Sequence, residues 1–341
     1  MSKDIFESVD VGNLRLKNRL VRSATWEDVA EADGGIGQAA YKIYDELARG
    51  GVGCIITGFT SVAGNDRYFG GMMRLHDDAL IPQYAHLAEL AHAQGVPIIA
   101  QLALGAYYWE QPNGITRQIE PNGMSVEEIH RVERWFVEAA VRAQKAGFDG
   151  AQIHVAHFFF LSRFVSPAVN QREDSYGGSN ANRARIVVEI LRGIRAAAPG
   201  LHISAKVNSC DFTPGGLTES DALEICEILA REGIDSIEVS GNGTSVRGVK
   251  PGEGEAYFAP FATRLAAAVD VPVMLVGGLR SRQVMQQVLD TTGVELLSLS
   301  RPLLFDPDFP RKLETGACSE SGCVSCNACY STTQHRCVFR R

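Results

Sequence analysis

Two histidines, His154 and His157, stand three residues apart at the end of a short apolar run. In a β/α protein chemistry collects at strand ends, and two imidazoles aimed from one end can both donate hydrogen bonds to a single partly anionic oxygen. A Ser-Pro step follows, then an Asn-x-Arg-x-Asp-x-Tyr-Gly-Gly turn over residues 170–178, then a helical pattern. His-x-x-His spacing also suits zinc, but no carboxylate or cysteine lies close in sequence to complete such a site. A lone histidine reads as a satisfied core residue; a pair at one strand end favours function.

Two further groupings carry chemistry. Gly277-Gly278 and Ser300-Arg301 fall just after two apolar runs. Glycines let backbone N–H groups approach a phosphate and an arginine offers a bidentate fork, so together they read as a phosphate site. Towards the C-terminus Cys323, Cys326 and Cys329 form a C-x2-C-x2-C array, with Cys318 before it and Cys337 after it. In a reducing compartment clustered thiols point to metal or redox chemistry before disulfides. The spacing is that of an iron–sulfur ligand set. Four thiolates also make a structural zinc site, and a tail without metal stays open as well.

The elements that position these residues follow from periodicity. Apolar β-like runs at residues 19–25, 53–59, 96–102, 150–154, 202–207, 236–240, 272–276 and 295–298 alternate with amphipathic patterns at 37–49, 79–94, 125–146, 182–197, 219–232, 257–268, 282–290 and 308–315. Eight β-then-α alternations without a break in composition predict one (β/α)8 TIM barrel. An open doubly wound sheet is the runner-up, weakened because no G-x-G-x-x-G follows the first strand. Ser125 with Glu128 reads as a capping box, and Gly147, Gly200 and Gly233 sit where helices should stop. Residues 7–17, turning at Gly12-Asn13, predict a β-ribbon over the N-terminal mouth. Residues 61–75 and 105–124 are long connections on the active face, expected to shape a pocket. In this frame Gln101 ends the third strand, the histidines the fourth and Lys206 the fifth. The predicted organisation is a barrel over residues 1–316 and a Cys-rich tail over 317–341, with the two separable.

Bulk properties bound the partners. The chain has 341 residues, 45% of them hydrophobic, and a formal net charge of -7. That balance argues against a nucleic-acid backbone as partner. The N-terminus carries charges and no apolar stretch of signal-peptide type, and no run approaches a membrane span, so a soluble cytoplasmic protein without a membrane partner is expected.

Residues 146–178, Leu16-Lys17-Asn18-Arg19 and residues 296–308 closely resemble the old yellow enzyme family of FMN-dependent oxidoreductases, and the likeness covers nearly the whole barrel. The resemblance implies that His154 and His157 hold first the flavin edge and then a substrate carbonyl oxygen. It implies that Ala24, Thr25, Gly58 and Gln101 line the flavin ring, with Gln101 bonding the pyrimidine. Lys206 takes the place of the family's arginine near the N1 and C2-carbonyl edge, keeping the charge but not the planar fork. Gly277, Gly278, Ser300 and Arg301 would hold the phosphate of FMN; no dinucleotide motif follows that would favour FAD. NAD(P)H is the implied hydride donor, bound in the substrate pocket, and an electron-poor small molecule (enone, quinone or nitro compound) the acceptor. A homo-oligomer is also implied. Cys323, Cys326, Cys329 and Cys337 resemble the 4Fe–4S ligands of the 2,4-dienoyl-CoA reductase and trimethylamine dehydrogenase branch.

Three departures matter. Phe158-Phe159-Phe160 stands where the family has Gly-Tyr after the second histidine, and Phe159 cannot give a proton to a substrate carbon as that tyrosine does. Leu104 and Tyr107 replace a histidine and an arginine, and Trp26 replaces a small Cys or Thr. The expectation is a more aromatic pocket in which water or Tyr68, Tyr107 or Tyr108 supplies the proton. Besides the NAD(P)H-dependent reading, two others stand: a flavin dehydrogenase passing electrons to a C-terminal cluster, and a non-catalytic redox sensor.

Overall fold

The structure, a computed structural model, describes residues 3–110, 116–243 and 245–340. Residues 111–115, part of the loop expected to shape the pocket, lie outside the described residues.

Eight parallel strands close on themselves: β1 Leu20–Arg22, β2 Cys54–Ile56, β3 Ile98–Ala103, β4 Gly150–Val155, β5 His202–Asn208, β6 Ser236–Ser240, β7 Val273–Leu275 and β8 Leu296–Leu299. Each pairs with the next, and β8 returns to β1, so the sheet has no free edge. The helices that follow are α1 Gln38–Arg49, α2 Ile81–His92, α3 Val126–Lys145, α4 Asn180–Ala197, α5 Glu219–Arg231, α6 Ala259–Ala268, α7 Arg282–Thr291 and α8 Phe309–Glu314. This is the (β/α)8 TIM barrel that the alternation predicts. Two short helices, Phe160–Val165 and Arg301–Phe305, sit inside the strand-to-helix connections, and Tyr107–Glu110 pairs with Thr116–Ile119 as an antiparallel hairpin. Both features lack the length or the period that sequence patterning detects. Among the described residues no helix is long and apolar enough to cross a membrane.

Alternation sets what faces the barrel axis. The lower layer is apolar: Val21, Ile56, Ile99, Met274 and Leu296 pack against Val9, Val11, Leu14 and Leu16 of the N-terminal ribbon, Val9–Val11 with Leu14–Leu16. The ribbon therefore plugs the N-terminal mouth. One step towards the C-terminal mouth the layer turns polar. Gln101 lies opposite Gln152, while His154, Lys206 and Glu238 share one register across β4, β5 and β6. Outside the barrel, α3 turns Ile129, Val132, Phe136, Ala139, Ala140 and Ala143 onto the sheet, a stripe at helical spacing. The capping box that opens α3 is present, with Glu128 N donating to Ser125 Oγ at 3.2 Å and Ser125 N to Glu128 Oε2 at 2.8 Å.

Candidate active site

The C-terminal mouth holds a cavity of about 590 Å³. Its walls include Ala24, Thr25, Gln101, His154, His157, Lys206, Gly277, Gly278, Ser300 and Arg301, gathered from six barrel strands and their loops. Of the residues assigned to the flavin, Gly58 alone is not on this wall. Its N–H donates to the Tyr44 hydroxyl at 2.7 Å, and a Cβ there would lie 2.5 Å from both Glu27 Oε2 and the Thr25 carbonyl. Gly58 is thus demanded by packing against the loop that carries Thr25.

The histidine pair is held by neighbouring strands and its own turn. Ala156 N–H donates to His154 Nδ1 at 3.2 Å, which leaves His154 Nε2 as the protonated donor. His157 Nε2 lies 2.8 Å from Ser240 Oγ, and its backbone N–H donates to Asn208 Oδ1 at 3.1 Å. The rings meet edge to face with centroids 5.1 Å apart. Burial, with His157 and Lys206 nearby, holds the proton affinity of His154 well below the ordinary histidine range. Burial and Lys206 bring His157 down to about 3. Both rings are therefore neutral at physiological pH and act through N–H donors, not through charge. The chain makes an unusual turn here: His157 and Phe158 have φ of +65° and +59°. Side chains disfavour that region, and such strain collects at functional sites. Phe158 takes it at the position where the resembling family has glycine.

Below the histidines a closed hydrogen-bond chain crosses the barrel. Gln101 Nε2 donates to Gln152 Oε1 at 2.8 Å, and Gln152 Nε2 donates to Glu238 Oε2 at 3.0 Å. Glu238 Oε1 pairs with Lys206 Nζ at 2.8 Å, both side chains buried. Burial pushes the Glu238 carboxyl up, but Lys206 and hydrogen bonds from Lys206, Ser23 and Gln152 outweigh it and hold it below the usual range. The pairing of Lys206 with a buried carboxylate is absent from the sequence expectation.

The opposite end of the cavity is a cationic, glycine-rich wall. Gly277 and Gly278 have φ of +126° and +74°, and a Cβ on either would come 2.9 Å from the Tyr257 ring. Only glycine fits there, and the backbone approaches the cavity as a phosphate cradle requires. Arg301 Nη1 donates to Val246 O and to Asn327 Oδ1, both at 2.7 Å. Arg280, another lining residue, donates to Val249 O at 2.5 Å and Ser321 O at 2.7 Å. Two polar atoms of the cavity lining, Ser298 Oγ and Trp26 Nε1, are buried without a hydrogen-bond partner among the described residues. Orphaned donors beside a glycine cradle and arginines are the groups a phosphate-bearing polar ligand satisfies, so the residues present fit FMN.

An aromatic rim closes the histidine side of the cavity. The Phe159 ring lies 5.0 Å from both His154 and Phe59, and 5.2 Å from Tyr68. Trp26 packs tilted against Phe69, with ring centroids 4.3 Å apart. Phe159 thus sits beside the histidines, with no proton to give. Tyr107 is turned outward instead: its hydroxyl accepts from Arg131 at 3.1 Å and its ring stacks on Trp135. Neither Tyr107 nor Tyr108 lines the cavity.

The tail folds onto this site. Cys323, Ser325, Asn327 and Tyr330 are part of the cavity wall, and His335 packs its edge on Trp26 at 4.3 Å. Asn327 Nδ2 also donates to Ser245 O at 2.6 Å. A second, small cavity is lined by all four paired-spacing cysteines, Cys323, Cys326, Cys329 and Cys337, together with Arg301 and Asn327. Burial, then Cys323 and Cys337, raise the Cys329 thiol, with Arg301 opposing. The sequence places the tail past the phosphate site; it does not reveal that Arg301, Asn327 and Cys323 belong to both cavities.

Comparison with known proteins agrees with the fold. The model of the NADH:flavin oxidoreductase / NADH oxidase family matches residues 4–320. The chain is 28% identical to a 4,4'-dithiodibutanoate disulfide reductase of Rhodococcus erythropolis, over 98% of this chain and 95% of that protein. It is 29% identical to an NADH oxidase of Thermoanaerobacter brockii, over 95% of this chain but 53% of that one. A solved 2-naphthoyl-CoA reductase superposes with a TM-score of 0.86 at 21% identity, covering 96% of this chain and 54% of the other. The chain thus spans nearly all of the first relative and about half of the other two. With a closed barrel, and a paired-histidine strand end and a glycine–arginine wall in one cavity, this chain belongs to the NADH:flavin oxidoreductase / NADH oxidase family, the flavin oxidoreductases of the old yellow enzyme kind.

Proposed function

We propose that the chain binds FMN in the 590 Å³ cavity and uses NAD(P)H to reduce an electron-poor small molecule, an enone, quinone or nitro compound. The observation that carries this reading is the placement of two neutral N–H-bearing imidazoles, His154 and His157, at one end of the cavity that holds the glycine–arginine cradle at the other. FMN, when bound, supplies a carrier that takes a hydride from NAD(P)H and yields it to an acceptor. Gly277, Gly278, Ser300 and Arg301 would seat its phosphate, and Ala24, Thr25, Gln101 and Lys206 its ring. His154 Nε2 donates to the acceptor oxygen where negative charge develops, and Ser240 and Asn208 fix His157 for the same task. Phe59, Phe69 and Phe159 exclude water and stack on a flat acceptor. Heat release of the bound cofactor, its chromatographic identity, and stopped-flow reduction by NADH and NADPH test the reading. Reoxidation by an acceptor panel completes the test; released FAD or no flavin refutes it.

We propose further that Cys323, Cys326, Cys329 and Cys337, which line one small cavity, hold a 4Fe–4S cluster, with structural zinc on the same four thiolates as the alternative. Since Arg301 and Asn327 wall both cavities, such a cluster would supply single-electron exchange next to the flavin, as in the dehydrogenase reading. Iron and acid-labile sulfide analysis of anaerobically purified protein decides between cluster and zinc.

A further inference from the structure

Lys206 is on the cavity wall, between His154 and Ser23; Glu238 is not on it, and is fully buried behind the lysine. The two side chains pair at 2.8 Å, and the pair is locked from all sides. Lys206 Nζ donates to Ser23 Oγ at 3.0 Å, Ser23 Oγ donates to Glu238 Oε1 at 2.7 Å, and Gln152 donates to the other carboxylate oxygen at 3.0 Å. Register fixes the geometry as well, since Lys206 and Glu238 are direct partners on β5 and β6. A lysine left alone at this wall would present a full positive charge to whatever lies in the deep end of the cavity. Paired in low dielectric, the two present close to none. The arginines at the far wall, Arg280 and Arg301, have carbonyl and amide partners instead of a buried carboxylate, so charge is kept at the cradle and cancelled at the deep end.

We propose that Glu238 is a positioning residue that sets the reduction potential of the flavin in this cavity by neutralising Lys206. The inference rests on the reading of the cavity as a flavin site. A flavin gains negative charge on reduction and on adding sulfite, and both are favoured by a nearby net cation. The neutral pair therefore keeps the bound flavin at low potential, a strong donor suited to reluctant acceptors.

The test uses holoenzyme, with sulfite as the probe, read by loss of flavin absorbance, and the midpoint potential read by spectroelectrochemical titration. Glu238→Gln leaves Lys206 unbalanced, so sulfite should bind at least about tenfold tighter and the potential should rise by about 30 mV per tenfold for a two-electron couple. Lys206→Met with Glu238→Gln replaces a neutral pair by neutral groups of similar shape, a change buried sites often tolerate. The double variant should stay within about threefold of the parent's sulfite affinity, which also keeps the question answerable if the single variant does not fold. An unchanged or lowered affinity in Glu238→Gln would show that Glu238 does not offset Lys206, and a tenfold loss in the double variant that Lys206 acts as a net cation; either overturns the proposal. Protein that releases no flavin refutes the flavin reading itself, and is distinct from flavin-loaded protein with an unmoved potential.

Discussion

Arg301 Nη1 donates to Asn327 Oδ1 at 2.7 Å, and this single bond joins the end of the eighth barrel strand to the cysteine tail. Arg301, the proposed phosphate anchor, and the loop between two thiols, Cys326 and Cys329, are thereby held in one place. Against the expectation that barrel and tail are separable, this contact predicts linkage. Asn327→Ala removes a hydrogen bond to a buried charge, a change of about 1.5–3 kcal/mol. FMN affinity, read by fluorescence recovery on release, should fall by about 10–100-fold although Asn327 carries no charge. Metal content of the same preparation should fall with it. Full retention of FMN in the variant would mean that the tail is only laid against the site.

The histidine pair predicts a split between half-reactions. His154→Ala and His157→Ala should each slow flavin reoxidation by a carbonyl acceptor by about 10²–10³. Reduction by NAD(P)H should suffer much less, because no oxyanion develops at these rings in that step. Ser240→Ala should act in the same direction but more weakly, since it only orients His157. Equal losses in both half-reactions would mean that the rings chiefly seat the flavin.

Most of the positions in this site were legible because chemistry-bearing residues recur at strand ends, which periodicity locates. His154, Lys206 and Gln101 fell on barrel strands as expected, and Gly277-Gly278 and Ser300-Arg301 lie across the cavity from them. What escaped was partnership across strands. Glu238 is a lone carboxylate in an apolar strand, Ser-Ile-Glu238-Val-Ser, and that misfit was a signal; pairing it with Lys206 needed the register between β5 and β6. Asn327 and Glu255 gave less. Glu255 accepts from the backbone N–H groups of Arg280 and Ser281, so it shapes the cradle from a loop with no period at all. Tyr107 misled for the opposite reason: its loop passes over the active face, but its side chain turns into the helical layer beside Trp135.

Acid should destabilise the protein through the same histidines. Folded His157 binds a proton only near pH 3, whereas the unfolded side chain does so near pH 6.5. Between those values the unfolded state holds more protons, so stability is full above about pH 6.5 and falls as pH drops towards 3. Each such group contributes a slope of about 1.4 kcal/mol per pH unit. His157→Gln should flatten urea-unfolding free energy against pH by about that amount between pH 4 and 6. An unaltered slope would show that His157 titrates alike in both states.

Phe159 supplies the last prediction. Its ring contacts His154 and His157, at 5.0 and 6.3 Å, so it stands beside the atoms that would hold an acceptor oxygen. No hydroxyl is offered from that position, and a positioned general acid contributes about 10²–10⁴ in rate. The tyrosines on the cavity wall, Tyr257 and Tyr330, come from the phosphate side and the tail. Tyr68 reaches the Phe159 ring, but it is 42% exposed and outside the wall. Acceptors that need a proton on carbon, such as cyclic enones, should therefore reoxidise the flavin slowly, and quinones or nitro compounds faster. Phe159→Tyr adds one hydroxyl at the edge of the rim without changing the backbone. Single-turnover reoxidation should then speed up for enones by about tenfold or more and stay nearly constant for quinones. Rapid enone turnover in the parent, with no gain in the variant, would assign the proton to Tyr68 or to water, and Tyr68→Phe would separate those two.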